Sequence, residues 1–319
     1  MTRRHLFWPA LATALAATFG MSGPAAAQNY PTQRVTIVVP FGAGSVTDIT
    51  ARIIADEASR RWGQQVVVEN RPGLAGTTAV SKAAPDGYTL MLTSNGHTVA
   101  ALVSKNISFD PVKDFAGITR VSSTPLSLIV NPSVPAKDLK ELVAYAKANP
   151  GKLNFSSPGL ASTTFIAGAM FRRAAGINLV HVPYKSVPEA VSAVIRGDAQ
   201  MYFAPTNVAK EQSAAGKVRT LGSVTAQRQP QTPDVPTFKE QGVDLVYDAW
   251  FGLMVPAGVP KDIVEKINKD VVAILNDPGV KAKLTAQSLV SDTDTPAQFD
   301  KIIRDNTAVM TEIFKTITN

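Results

Sequence analysis

The chain has 319 residues, 45% apolar and 18% charged, which excludes a disordered polymer and suggests about two domains at roughly 150 residues each. It contains no cysteine and only three histidines. Disulfide frameworks, zinc ribbons, thiol nucleophiles and iron–sulfur clusters are therefore excluded, and a histidine-rich metal site is hard to build. The net charge of +7 comes without a basic–aromatic cluster, which argues against nucleic acid and suits attraction of anionic small molecules.

The first segment reads as a secretory signal. Arg3-Arg4 precedes the apolar run from Leu6 to Phe19, and Ala25-Ala26-Ala27 supplies small residues for cleavage after Ala27. The apolar run is too short to span a membrane, and no later window is long enough. The expected product is an exported chain of 292 residues with net charge +5, since the removed segment carries two arginines and no acid.

The remaining elements read as alternating strands and helices. Arg34 to Val39 is a short β-branched run suited to a strand buried on both faces. A glycine loop follows, then a helix with Ile49, Ile53 and Ile54 on one side, for which Thr47 or Asp48 is the expected N-cap. Val66–Val68, Thr89–Leu92 and Leu126–Val130 read as further strands, and Lys137–Ala148 as a helix. Leu153–Ser156 leads through a second glycine- and serine-bearing loop into a helix over Thr163–Ala175. Leu179–Val182, Pro188–Arg196 and Gln200–Phe203 then read strand, helix, strand, and Arg219–Val224 as a returning strand. Amphipathic helices are expected at Lys261–Asn276 and Pro296–Phe314. This alternation predicts an α/β fold of two similar halves with parallel-rich sheets flanked by helices. The second half, 126–222, is inserted between 28–125 and 223–319.

Two loops carry the chemistry. In Phe41-Gly42-Ala43-Gly44-Ser45-Val46-Thr47-Asp48, small residues let an anion approach a helix N-terminus, where unpaired N–H groups and about half a positive charge await it. Position 47 is Thr where a dinucleotide fingerprint has its third glycine, and no lysine makes the loop a P-loop. Alone, the loop is equally consistent with a tight capping turn. The second loop has the same design: Ser157, Ser162 and Thr163 supply hydroxyls, and Gly159 permits close backbone approach. Asn95 and His97, just past a strand end, and Thr206 are further candidates to line the cleft. No G-x-S-x-G elbow or H-E-x-x-H occurs, and a hydrolase built on Ser157 or Ser162 would need His97 or His181 as its base.

The mature chain opens with Tyr30-Pro31, Val38-Val-Pro-Phe41, Ala43-Gly44, Thr47-Asp48 and Ala51-Arg52, followed by Val68-Glu-Asn-Arg-Pro-Gly73 and Ala84-Pro-Asp-Gly-Tyr-Thr-Leu90. Val182-Pro-Tyr-Lys185, Pro233-Asp-Val-Pro-Thr237, Trp250-Phe-Gly-Leu253 and Val255-Pro-Ala-Gly-Val-Pro260 continue the pattern over nearly the whole mature chain. In these runs the chain resembles the Bug family of extracytoplasmic solute receptors of tripartite tricarboxylate transporters.

The resemblance implies a type II periplasmic binding protein: two α/β domains closing on a ligand carboxylate held between Phe41–Asp48 and Ser156–Thr163. It also implies a periplasmic monomer without a cofactor that delivers its ligand to membrane permease subunits. Where the first loop of relatives commonly reads Ala-Gly-Gly-Pro-Thr-Asp, Ser45 and Val46 stand here. Where relatives carry a His and a Glu early in the second helix, this chain has Phe165 and Ala169. That exchange is expected to make the region more apolar and tolerant of an aromatic carboxylate such as terephthalate beside di- and tricarboxylates. A signalling receptor remains an alternative use of the same site.

Overall fold

In the computed structural model, residues 29–104 and 107–317 are described, so the expected signal segment lies outside the described residues. The β-branched runs pair into two five-stranded sheets with helices on both faces. In the first sheet, β1 (Val35–Val39) lies between β2 (Val66–Asn70) and β3 (Thr89–Ser94), parallel to both. The order is completed by β10 (Ala249–Pro256) and β4 (Phe115–Thr124), giving β2-β1-β3-β10-β4. The second sheet repeats this plan as β7-β6-β8-β5-β9, from β5 (Leu126–Val130), β6 (Asn154–Ser157), β7 (Val180–Pro183), β8 (Met201–Pro205) and β9 (Arg219–Ser223).

The connection between lobes sets the strand directions. Only Pro125 separates β4 from β5, so the chain enters the second sheet at the edge where it left the first. A strand entering there must run back, and β5 is antiparallel to both β8 and β9. The return imposes the same rule on β10, antiparallel to β3 and β4. Each sheet thus has one reversed strand, and the carboxyl ends of the others face the gap between lobes.

Both faces of the first sheet are covered, which explains its near-continuous apolar strands. Val35, Ile37, Val39 and Leu90 pack on one side with Ile54 of α1 (Val46–Trp62) and Ile267 of α8 (Lys261–Asn276). Val38, Met91, Trp250 and Met254 face Phe299 and Ile303 of α10 (Pro296–Ile317) on the other. The remaining helices are α2 (Leu74–Ser81), α3 (Ala100–Val103) behind the 3-10 turn Asn95–Val99, and α9 (Pro278–Ala286) in the first lobe. The second holds α4 (Leu139–Ala148), α5 (Thr163–Ala175), α6 (Val187–Arg196) and α7 (Thr206–Ala214).

Residues past 222 behave differently from expectation. Val224, Phe238, Val243, Leu245 and Tyr247 are buried in the core of the second lobe, so the chain rejoins the first lobe only near 248. Phe171, Phe203 and Phe238 form an aromatic cluster there, which explains why this stretch is held so far past β9. At the return, Arg120 of β4 ion-pairs with Asp248 and Asp294. Helix α10 ties the lobes again: Phe299 lies in a first-lobe core, Met310, Ile313 and Phe314 in the second.

Candidate functional site

The two glycine loops occupy corresponding places. Each leaves the carboxyl end of its sheet's central parallel strand, β1 or β6, and runs into a helix. In open α/β sheets that edge is where ligands bind.

In the first loop the N-cap is Ser45, not Thr47 or Asp48. The Ser45 hydroxyl accepts the Asp48 N–H at 3.2 Å, and the Ser45 N–H donates to the Gly42 carbonyl at 3.2 Å. The local cause is Gly44, whose φ of +79° turns the chain at least two residues earlier than the expected cap at Thr47 or Asp48. Asp48, three residues into the helix, reaches back instead: its carboxylate accepts the Gly44 N–H at 2.8 Å, the Asn70 amide at 2.9 Å and the Arg52 guanidinium at 3.0 Å. Burial works to raise its pKa and is the largest single influence. The hydrogen bonds from Arg52, Gly44 and Asn70 together outweigh it and hold Asp48 below the usual carboxylate range. Asp48 is therefore an ionised buttress of the loop.

The second loop is built on hydroxyls and an imidazole. Ser162 caps α5, accepting the Phe165 N–H at 3.1 Å and donating to the Gly159 carbonyl at 2.7 Å. Ser157 is fully buried; its hydroxyl accepts the Gly159 N–H at 3.1 Å and lies 2.7 Å from His181 Nε2. His181 is packed against Phe155 and Phe165, and burial lowers its pKa to about 4, so it is neutral near pH 7.

What the loops offer a ligand follows from what they leave unpaired. The N–H groups of Val46 and Thr47, and of Thr163 and Thr164, have no protein acceptor among the described residues. Gly42, Ala43 and Gly44 are exposed, and neither loop contains a lysine or arginine. Arg52 is engaged by Asp48, so what this edge offers an anion is N–H groups and helix dipoles. The two lobes meet at this edge: the Gly96 α-carbon sits against the Ala161 carbonyl. No cluster that could hold a metal occurs among the described residues.

Other predicted residues fall elsewhere. Phe41 is half-buried against the first-lobe core, and its carbonyl accepts the Asn70 amide. His97 is buried, its Nε2 donating to the Pro111 carbonyl at 2.8 Å and its ring set between Phe109 and Phe115. Burial takes its pKa to about 4. It is a core residue of the first lobe and does not reach the cleft. The Asn95 amide donates to the Tyr247 hydroxyl, a buried tie between lobes. Phe165 is 1% exposed and packs on Phe155, His181 and Phe314, so it fills the core instead of presenting an aromatic face to a ligand. Thr206 is buried, its hydroxyl donating to the Pro125 carbonyl at 3.0 Å. It borders a cavity of about 520 Å³ between the lobes beside Lys210 and Thr285.

Asn70, Gly96 and Tyr247 escaped the sequence reading, and His181 was read there only as a possible base. Asn70 and His181 reach the loops through sheet pairing, Val39 with Asn70 and Phe155 with His181, which no local signal announces. Arg52, one turn from Asp48, was legible from its spacing.

Residues 50–318 match the tripartite tricarboxylate transporter family receptor, TctC. Protein BugT of Bordetella pertussis is 31% identical over 295 residues, 91% of this chain and 90% of BugT. The periplasmic binding protein BugD is 31% identical with a TM-score of 0.71, covering 90% of this chain and 98% of BugD. MatC of Rhodopseudomonas palustris with bound malate is 29% identical with a TM-score of 0.72, covering 89% of this chain and all of MatC. A second R. palustris protein, with adipate, is 29% identical with a TM-score of 0.73, over 90% and 98% of the two chains.

Proposed function

We propose that this chain, which belongs to the tripartite tricarboxylate transporter receptor family, captures a small organic di- or tricarboxylate and delivers it to the membrane permease of such a transporter. The family and its structural neighbours are substrate-binding proteins of the periplasm and not enzymes. Cleavage after Ala27 would release the mature receptor there.

The observation that supports the ligand class is the pair of helix N-termini, one per lobe, with unpaired N–H groups at Val46, Thr47, Thr163 and Thr164. Each can donate to a carboxylate oxygen, and exclusion of water on closure strengthens those bonds. Malate and adipate in the R. palustris neighbours favour an aliphatic ligand. The argument for an aromatic ligand rested on Phe165, whose ring is buried in the core. The serine-hydrolase alternative is disfavoured as well: the Ser157 hydroxyl, although paired with His181, is fully buried away from a substrate, and the Ser162 hydroxyl is committed to the Phe165 N–H and the Gly159 carbonyl.

A thermal-shift panel of malate, adipate, citrate and terephthalate tests the proposal. A ligand at 100 times its Kd adds about 2.7 kcal/mol of apparent stability. A shift with an aliphatic di- or tricarboxylate, lost when Ser162 and Ser45 are replaced by proline, supports the reading. No shift with any of the four removes it.

A further inference from the structure

The lobes touch through backbone alone at one place. A β-carbon on Gly96 would lie 2.3 Å from the Ala161 carbonyl oxygen and 3.4 Å from its carbonyl carbon. Gly96 does not have a positive φ, so the turn's own geometry does not require glycine. The close approach of the other lobe does. Ala161 immediately precedes the N-cap Ser162, so this contact fixes how near the N–H groups of α5 come to the first lobe.

The turn carrying Gly96 has little freedom to yield. The Gly96 N–H donates to the Ser94 hydroxyl at 3.3 Å, and Thr98 Oγ1 donates to the Asn95 carbonyl at 2.7 Å, both within the turn's own lobe. All five residues of the turn are buried. On the other side the Ala161 peptide is held in the capping turn by the two bonds of Ser162 to the Gly159 carbonyl, at 3.1 and 2.7 Å, so relief of about 1 Å, the difference between 2.3 Å and an ordinary carbon–oxygen contact, comes from the lobes moving apart.

We propose that Gly96 is a positioning residue for ligand capture: its missing side chain lets the turn after β3 seat on the Ala161 carbonyl, and any β-carbon there holds the two helix N-termini apart. Its purpose rests on the carboxylate-receptor reading; the contact itself does not.

The chain has no cysteine, so spin labels can be placed cleanly on Arg71→Cys and Lys185→Cys, exposed positions just past the carboxyl ends of β2 and β7 at the rims of the two lobes. Electron–electron distances are measured without ligand and with malate, adipate and citrate, in the labelled parent and with Gly96→Ala or Gly96→Val added. The expected result is a short-distance population in the parent that is depleted in Gly96→Ala and absent in Gly96→Val, with melting temperatures within a few degrees of the parent. An unchanged short population in both variants overturns the proposal. So does its absence from the parent under every condition, a measurement that stands even if a variant misfolds. A short population that Gly96→Ala depletes but no carboxylate alters upholds the contact and removes the receptor reading.

Discussion

Gly42-Ala-Gly-Ser45 and Gly159-Leu-Ala-Ser162 make the same turn in the two lobes. In each, the serine N–H donates to the glycine carbonyl three residues back, at 3.2 and 3.1 Å, and the serine hydroxyl caps the helix that follows. Thr47 and Thr164, the second residues of α1 and α5, are both buried. The third residues part company. Asp48 binds Gly44, Arg52 and Asn70 in a polar buttress, whereas Phe165 enters an aromatic core with Phe155, His181 and Phe314. One capping turn can therefore be braced from behind by charge or by packing. What it must keep is the cap and the unpaired N–H groups in front.

The largest test of that contrast is Phe165→Ala, which leaves a cavity under α5 and should cost about 3–5 kcal/mol in urea unfolding. A loss below about 1 kcal/mol would show that the ring does not brace the turn. In the first lobe, Asp48→Ala strands the Gly44 N–H and takes one partner each from Asn70 and Arg52, which keep their bonds to the Phe41 carbonyl and to each other. Because half of the Arg52 side chain is exposed, the expected loss is about 2–3 kcal/mol, at the low end for a broken buried pair. Asp48→Asn should lose less, since it keeps the acceptor oxygen. If both substitutions are neutral, the first turn needs no buttress.

The lobes can next be compared by acid. His97 in the first and His181 in the second each have a folded pKa near 4 against an ordinary value near 6.5. Between those values the unfolded chain binds the extra proton, so each histidine contributes stability at neutral pH that is lost as pH falls from about 6.5 toward 4. For buried His97 this amounts to about 2 kcal/mol between pH 7 and pH 5. Asp248 acts in the opposite sense. Burial, and next Asp292, push its pKa up to about 6, so its contribution is present at low pH and fades as pH rises through that value. Differences between variants isolate each group: His97→Gln and His181→Gln should each flatten the acid slope by up to one proton. An unchanged slope in both would mean that neither ring is held neutral by burial.

The caps give the smallest effects. Ser45→Ala should cost about 1 kcal/mol, the usual value of an N-cap. Ser162→Ala should cost slightly more, because Ser162 also donates to Gly159. Both are read from urea midpoints, and a larger loss at Ser45 would reverse the ranking of the two turns.

The sequence by itself determined the alternation of strands and helices, the two glycine–serine loops, and the resemblance of nearly the whole chain to one receptor family. Those features are local: β-branched runs, glycines beside hydroxyls, and α8 beginning and ending at Lys261 and Asn276 as its periodicity predicts. Only the tertiary structure decided the rest. His97 looked like a cleft residue because it follows a strand, yet the turn at Asn95–Val99 carries its ring inward between Phe109 and Phe115. Phe165 looked available to a ligand because relatives carry a polar side chain early in that helix, but here the ring packs into the second core. Asn70 and His181 reach the loops across strand pairs, and the return to the first lobe waits until 248 because Phe238 and Tyr247 are needed in the second core. The physical reason is common to all four. Periodicity and capping act within a few residues, whereas the facing of a side chain at a strand's end depends on elements tens to hundreds of residues away.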